Sequence, residues 1–384
     1  MSDRLSDQQV VQRALELARA GVGLASPNPY VGAVITDAAG NIVGTGTYTY
    51  AGVKHAEILA LEQAGEKARG GTLYINLEPH AHQGRTPPCT NALIAAGIRR
   101  VVASMADPNP KVSGRGFEQL RAAGVEVEVG GLEQEARRLN EGFARYIRHG
   151  GPLVTLKSAM TLDGKIAPVI APVQEGQPRR TWITGEAARG HVHELRHEHD
   201  AILVGVGTIL ADDPLLTDRS GGTRRRPLLR VILDSHLRLP LDSQLVKSVK
   251  DDLKDDLIVF CSVPDAAKKD QLKKIGIHVE QVSAEGKQQR PDLNAVLRRL
   301  GELEITSVMI EGGSTVNATA LSAGIVDKIF FYYAPKILGA GSIPLANTSH
   351  AAGEVHPLHI KNAHLHRFGE DFAVEGYLRD PYAE

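Results

Sequence analysis

Apolar positions in the opening stretch recur first at helical and then at alternating spacing. Val10, Val11, Ala14, Leu15 and Leu17 share one side of a helix over Asp7 to Gly21, and two alternating runs, Tyr30 to Thr36 and Ile42 to Tyr48, read as strands around an Asp37–Gly40 turn. Helix and strand then alternate: a helix over Ala56 to Lys67, a strand over Thr72 to Leu77, a helix from Pro88, a strand over Arg100 to Ser104, a helix near Phe117 to Ala123 and a strand over Val125 to Val129. A last helix, Leu132 to Arg148, is stopped by His149-Gly150-Gly151-Pro152. The alternation predicts a sheet sandwiched by helices, and the stop predicts a domain boundary after residue 149.

The second half repeats the theme. Strands are expected at Leu153 to Ala159, Ala201 to Val204, Leu229 to Asp234, Leu257 to Cys261 and Ser307 to Glu311, with a helix at Gly185 to Glu198. The segments 219–226 and 250–256 are charged without periodicity and read as loops. The pattern thus predicts an α/β protein of two domains, 1–149 and 150–384, and a chain of 384 residues is long enough for two cores.

Composition narrows the function. A formal charge of -1 gives no general attraction to nucleic acid or anionic lipid, so small-molecule partners are expected, with no nucleic acid and no membrane. The polar start lacks the apolar core of a signal peptide, and no stretch approaches the roughly 20 apolar residues of a membrane span. Cys89 and Cys261 are the only cysteines, too few for a disulfide framework and in keeping with a reducing compartment. The expected location is cytoplasmic.

One constellation carries chemistry. His55-Ala56-Glu57 opens a helix, Glu78-Pro79-His80 ends a strand, and Pro87-Pro88-Cys89 starts the next helix. Catalytic zinc takes three nitrogen or sulfur ligands plus a water, and His55, His80 and Cys89 supply the three. The zinc-deaminase signature is H-x-E followed by P-C and a second cysteine, with the glutamate moving protons rather than binding metal; that role falls to Glu57. The departure is His80 where the signature has cysteine. It makes the metal site one unit more positive, lengthens the ligand arm, and obliges the imidazole to find a partner for its other nitrogen; His82 is an alternative ligand.

With these residues in view, the chain resembles, along essentially its whole length, the bifunctional riboflavin-biosynthesis deaminase-reductase family. The segments that carry the resemblance are Ser26-Pro27-Asn28-Pro29, Val31-Gly32, His55-Ala56-Glu57, Leu77-Glu78-Pro79, Gly84-Arg85-Thr86-Pro87-Pro88-Cys89, Asp107-Pro108-Asn109-Pro110, Leu162-Asp163-Gly164, Trp182-Ile183-Thr184, Leu210-Ala211-Asp212-Asp213-Pro214 and Glu311-Gly312-Gly313. The resemblance implies a cytidine-deaminase-like N-terminal fold and a dihydrofolate-reductase-like C-terminal fold. It also implies zinc-dependent deamination of a phosphorylated diamino-ribosylamino-pyrimidinone, then reduction of the product's ribose by NADPH to an open ribityl chain. A homo-oligomer is compatible with this reading. Tyr48 stands where many members have histidine.

A nicotinamide cofactor brings a pyrophosphate, which favours backbone N–H groups gathered at a helix start. Gly312-Gly313-Ser314-Thr315, between the strand ending at Glu311 and a helix over Val316 to Leu321, offers such a nest. Gly205-Val206-Gly207-Thr208 lacks the third glycine of the dinucleotide fingerprint and has no clear strand-to-helix setting. By resemblance, Ala159, Trp182, Thr208, Asp212, Ser235, Gly313, Ser314 and Thr315 contact NADPH, while Asn28, Arg180, Arg196, Leu216, Arg219 and Glu311 contact substrate. Relatives often place serine at position 180. Without the resemblance, Trp182, the only tryptophan, reads equally as a core anchor. Asp212 and Asp163 are both candidates to supply or position the proton of the reductive step. Two rival functions remain: a reductase whose deaminase site is impaired by His80, and a nucleic-acid base deaminase, which the neutral charge and 4% aromatic content disfavour.

Overall fold

The computed structural model describes residues 5–84, 86–168, 182–250, 256–286, 289–347 and 357–383. The chain forms two compact units, one of Met1–His149 with Thr223–Arg226, the other of Gly150–Gly222 with Pro227–Ala383. Among the described residues no helix is long and apolar enough to cross a membrane.

The first unit opens on the helix Asp7–Arg19, whose start is fixed by a reciprocal cap: Gln9 N–H donates to the Ser6 hydroxyl, and Ser6 N–H donates to the Gln9 side chain. Its Val10, Val11, Ala14, Leu15 and Ala18 are buried. A five-stranded sheet follows in the order Ile42–Thr47, Gly32–Thr36, Thr72–Ile75, Arg100–Ala103, Glu126–Val129. The first two strands form the predicted hairpin, its turn tied by the Asp37 carboxylate, which accepts from Ala39 N–H and Asn41 N–H. The helix Ala56–Ala64 lies almost in contact with the Ile42–Thr47 strand. A Cβ at Gly44 or Gly46 would stand 2.1 Å from the carbonyl oxygen of Ala60 or Ala56, so only glycine admits this approach. The start of that helix carries His55 and Glu57.

The predicted helix over 132–148 is two helices, Glu133–Leu139 and Glu141–His149. They part at Asn140, whose side chain accepts from Tyr30 N–H and donates to Tyr30 C=O. A side chain that holds another segment from a helical position is invisible to periodicity.

The second unit is built on a nine-stranded sheet, ordered His278–Gln281, Leu257–Cys261, Leu229–Leu233, Ala201–Gly205, Ser307–Ile310, Leu153–Thr161, Lys328–Ala334, Asp371–Tyr377, Lys361–Phe368. Strands up to Lys328–Ala334 run parallel, and the last two are antiparallel. Its central strands are apolar on both faces, as a sheet covered on both sides requires. Leu203, Val231 and Ile258 join one core with Val296 and Leu300 of the helix Leu293–Glu302, while their neighbours Ile202, Ile232 and Val259 join another with Leu245, Val246 and Leu272.

Within the sheet, chain order reverses between Ala201–Gly205 and Ser307–Ile310: later strands step away on one side, and Leu153–Thr161 and Lys328–Ala334 lie on the other. Open parallel sheets bind ligands outside the carboxyl ends of the strands at such a point. Gly205 is followed directly by the helix Val206–Asp212, so the Gly205–Thr208 segment does have the strand-to-helix setting that its sequence leaves unmarked. A seven-residue helix is too short to show a period. The loop at 219–226 has no helix or strand; of the one expected at 250–256, Lys250 ends a helix and residues 251–255 lie outside the described residues.

Candidate functional site

In the first unit, His55, His80 and Cys89 present ligand atoms that all lie within 4.8 Å of one another. His55 is the N-cap of the Ala56–Ala64 helix, and Cys89 is the first residue of the helix Cys89–Ala95. Helix starts carry partial positive charge, which favours a thiolate and the Glu57 carboxylate. His80 is tied to the second helix through its backbone, Thr90 N–H donating to His80 C=O at 3.2 Å.

The donor set fits a tetrahedral zinc ion. Cys89 Sγ and His55 Nδ1 are 3.2 Å apart, close to the roughly 3.3–3.8 Å between ligands on one zinc. His55 turns its other nitrogen to the Thr86 hydroxyl at 3.2 Å. His80 Nδ1 is buried and makes no hydrogen bond, a ring nitrogen in want of a partner. Burial first, then the neighbouring His82 and His55, push the His80 pKa down to about 4, so the ring is neutral and able to ligate at physiological pH. Burial and the nearby Glu57 carboxylate push the Cys89 thiol far above its usual range, so a thiolate here requires a cation beside it.

Glu57 is 3% exposed and lies against Cys89, where a proton carrier is wanted. Asn28 reaches the same place: its amide donates to the Tyr48 hydroxyl at 2.6 Å, and the Tyr48 ring meets His55 edge-on at 5.6 Å. Tyr48, where many relatives have histidine, is thus a buried link between Asn28 and His55. Glu78 is a strut, accepting from Asp107, Gly114 and Gly116 N–H groups. Burial, opposed by the Asn109 N–H and assisted by Glu78, pushes Asp107 up to about 6.

In the second unit, residues expected at the cofactor gather at the carboxyl ends of the parallel strands. Ala159 is near the end of Leu153–Thr161, Ser235 follows Leu229–Leu233, Thr208 lies in the first turn after Ala201–Gly205, and Asp212 ends that helix. Gly313 is the N-cap of the helix Ser314–Ser322, and a Cβ on it would stand 3.8 Å from Thr208 Oγ1, which places the two loops side by side. Ser314 Oγ is buried without a hydrogen-bond partner, and Thr315 is exposed in the same turn; free donors at a helix start fit a pyrophosphate. Trp182 is 55% exposed, which excludes a core anchor; Arg189 lies 4.6 Å from the centre of its ring, and Lys336 donates to its carbonyl.

The expected substrate residues form a second group. Arg196 donates through Nε and Nη2 to both oxygens of Glu311, at 2.8 and 3.0 Å, and through Nη1 to Thr217 C=O. Lys157 adds a second cation at 3.5 Å. Against the cost of burial, Arg196 and then Lys157 hold Glu311 down to about 2, while Glu311 raises Arg196 above its usual value. Arg219 is exposed and donates to Thr217 Oγ1; Leu216 is buried with a left-handed backbone. Arg180 lies outside the described residues.

The sequence reading missed Lys157 and His193. Lys157 had a signal: it is the one charge in a strand otherwise of apolar and hydroxyl residues, two residues from Ala159 and so on the same face. His193 faces Arg196, Arg219, Glu311 and Asp218 with a buried, unbonded Nδ1, and nothing in its local sequence marks it. Asp163 accepts from Thr161 Oγ1 and from the N–H groups of Gly339 and Leu338, which hold it down to about 2 and make it a clasp for that turn.

Comparison with known proteins gives one answer for both units. Residues 152–374 match the RibD C-terminal domain, and residues 4–105 match the cytidine and deoxycytidylate deaminase zinc-binding region. The riboflavin biosynthesis protein RibD of Aquifex aeolicus is 41% identical over 96% of this chain and 97% of its own, and that of Escherichia coli is 39% identical over 88% and 89%. Among solved structures, Acinetobacter baumannii RibD has a TM-score of 0.81 at 34% identity, covering 97% of this chain and 98% of its own. The diaminohydroxyphosphoribosylaminopyrimidine deaminase/5-amino-6-(5-phosphoribosylamino)uracil reductase of Thermotoga maritima has a TM-score of 0.75 at 36% identity, again over 97% and 98%.

Proposed function

Because the chain belongs to the RibD family of bifunctional riboflavin-biosynthesis deaminase-reductases, we propose that residues 1–149 deaminate the phosphorylated diaminopyrimidine and residues 150–384 reduce the ribosyl group of the product. The carrying observation is the convergence of His55, His80 and Cys89, with Glu57 beside them. Zinc, when held by those three, makes water a nucleophile near neutral pH. Glu57 takes a proton from the attacking water and delivers it to the ring nitrogen, then takes the second proton from the added hydroxyl and delivers it to the amino group, which departs as ammonia; both transfers ask for a carboxylate within hydrogen-bond reach. Asn28, steadied by Tyr48, holds the pyrimidine against that centre.

In the reductive step NADPH supplies the hydride, and the protein's task is alignment. Ser314 and Thr315 with the Gly313 cap, together with Thr208, Asp212 and Ser235, hold the cofactor; Trp182, steadied by Arg189, gives an exposed ring for stacking. The donors of Arg196 recorded above are turned to Glu311 and Thr217, so Arg196 acts by orienting Glu311 toward the ribose, with Leu216 packing below. The substrate phosphate is taken by the exposed Arg219. The neutral charge favours a small substrate over nucleic acid, and two free, buried cysteines suit the reducing cytoplasm.

The test uses the full, zinc-loaded chain. It should release ammonia from the diaminopyrimidine and, given NADPH, oxidise it in step. Glu57→Gln should lose ammonia release by about 10²-fold or more while still oxidising NADPH on the deaminated compound. A zinc-loaded wild type that only reduces would mean that His80 has disabled the first site.

A further inference from the structure

We propose that His82 is the positioning residue of the metal centre: it accepts a hydrogen bond from His80 Nε2–H and thereby fixes His80 as an Nδ1 ligand. The inference rests on the metal reading above and concerns what replaces a thiolate there. A thiolate ligand has one sulfur and no tautomers. An imidazole has two nitrogens, and only the unprotonated one binds metal, so the proton must be held at the other.

The geometry provides for this. His80 Nδ1 is the buried atom with no partner, and its own Nε2 lies 3.3 Å from His82 Nε2. Where two imidazoles share one hydrogen bond, one nitrogen donates and the other accepts. If His82 donated, His80 would carry its proton on the buried Nδ1, which could then not bind metal. If His80 donates, Nδ1 is bare, and His82 carries its proton on its own Nδ1. The ring centres are 4.1 Å apart at 67°, while His55 flanks His80 at 4.9 Å. Gly84 closes the turn over the pair; a Cβ there would come 3.6 Å from His80 Nε2 and 3.7 Å from His82 Nε2, ordinary contact. His82 is itself exposed, so its place is explained by the bond rather than by core packing.

The measurement is zinc affinity of the whole chain by competition with a chromophoric chelator, alongside absorption of the cobalt(II)-substituted protein, whose sulfur-to-metal charge transfer reports the thiolates bound. His82→Ala should weaken zinc binding by about 10- to 100-fold, and His82→Gln, whose carbonyl oxygen can accept the same proton, should recover most of that loss. In a His80→Cys background, where nothing remains to be oriented, His82→Ala should change affinity by less than about twofold, and cobalt charge transfer should rise over wild type. Equal weakening in both backgrounds, no weakening in either, or full zinc binding by His80→Ala with His82 intact would each overturn the inference, the last by making His82 the ligand. A wild type that takes up no zinc and shows no thiolate band with cobalt would instead sink the metal reading itself.

Discussion

Glu311 offers a quantitative test of the second unit. Its carboxylate, 10% exposed, is held by Arg196 and Lys157 at a pKa of about 2, against 4.5 for an unhindered glutamate. A lowered folded-state pKa means that ionised Glu311 stabilises the fold above pH 4.5, and that this contribution is lost as pH falls from there toward 2. Its full size is about 3 kcal/mol, and roughly 1 to 1.5 kcal/mol of it is gone by about pH 3.5. Glu311→Gln removes the charge without removing the bulk, and leaves Arg196 and Lys157 short of an anion at every pH. The assay is urea unfolding followed by the fluorescence of Trp182, the chain's only tryptophan, which reports the second unit. At pH 7 the variant should be less stable by about 3 kcal/mol, a fall in midpoint on the order of 1 M urea. The gap should narrow by roughly 1 to 1.5 kcal/mol at about pH 3.5. Glu375, also held down to about 2, titrates in both proteins and cancels in the difference. A gap that stays constant from neutral pH to that point would refute the assignment of the acid-labile stability to the Arg196–Glu311–Lys157 cluster.

Four further outcomes are expected. Asp256→Ala removes the counter-ion of Arg230, which is 1% exposed and bonded to Asp256 at 2.7 Å, leaves the buried cation only the neutral Leu215 C=O and Ser248 hydroxyl, and should cost about 3–5 kcal/mol in thermal or urea unfolding. The double variant Arg230→Met/Asp256→Leu should recover most of that loss. Gly46→Ala forces a Cβ onto the Ala56 carbonyl and should cost at least about 1–3 kcal/mol while weakening zinc binding, since the displaced helix carries His55 and Glu57; a variant that binds zinc like wild type would show that the helix is free to shift. Chelator-stripped protein should stop releasing ammonia yet keep oxidising NADPH on the deaminated compound, and zinc should restore the first activity alone. Trp182→Ala should raise KM for NADPH with a smaller effect on kcat, as steady-state kinetics would show.

The elements legible in the sequence are those whose burial is one-sided or complete. Val10, Val11, Ala14 and Leu15 fall on the buried face of the first helix, and unbroken apolar runs such as Ala-Ile-Leu-Val at 201–204 fall on central strands. Lys328–Ala334 carries such a run, Ile-Phe-Phe-Tyr-Tyr-Ala after its first residue, and was nonetheless overlooked. Elements without such a signature also escaped: Asp371–Tyr377 is paired mid-sheet with mixed residues, and the edge strand Lys361–Phe368 is exposed along most of its length. The helix Ala266–Lys274 is so rich in lysine and alanine that only Leu272 is buried. The break at Asn140 and the short helix after Gly205 are set by contacts and length, which no local pattern records.

The candidate metal ligands stand out because metal binding restricts residue type more than packing does: few local reasons exist to put histidine at one helix start and cysteine at another. The reductase residues lack that restriction. Glu311 could be read only through resemblance, and the charge of Lys157, though marked in its strand, could not be assigned to it, because the link between them is a charge balance across adjacent parallel strands, paired through Ile310 and Leu156. Once the strands are in register the logic is plain. A buried carboxylate needs cations to stay ionised, and the neighbouring strand supplies one in Lys157, whose ammonium lies 5.9 Å from the centre of the Tyr332 ring. Sequence therefore reveals a site in proportion to how unusual its residues are where they stand, and His82, an exposed histidine in a loop, becomes interpretable only when the atom it faces is known.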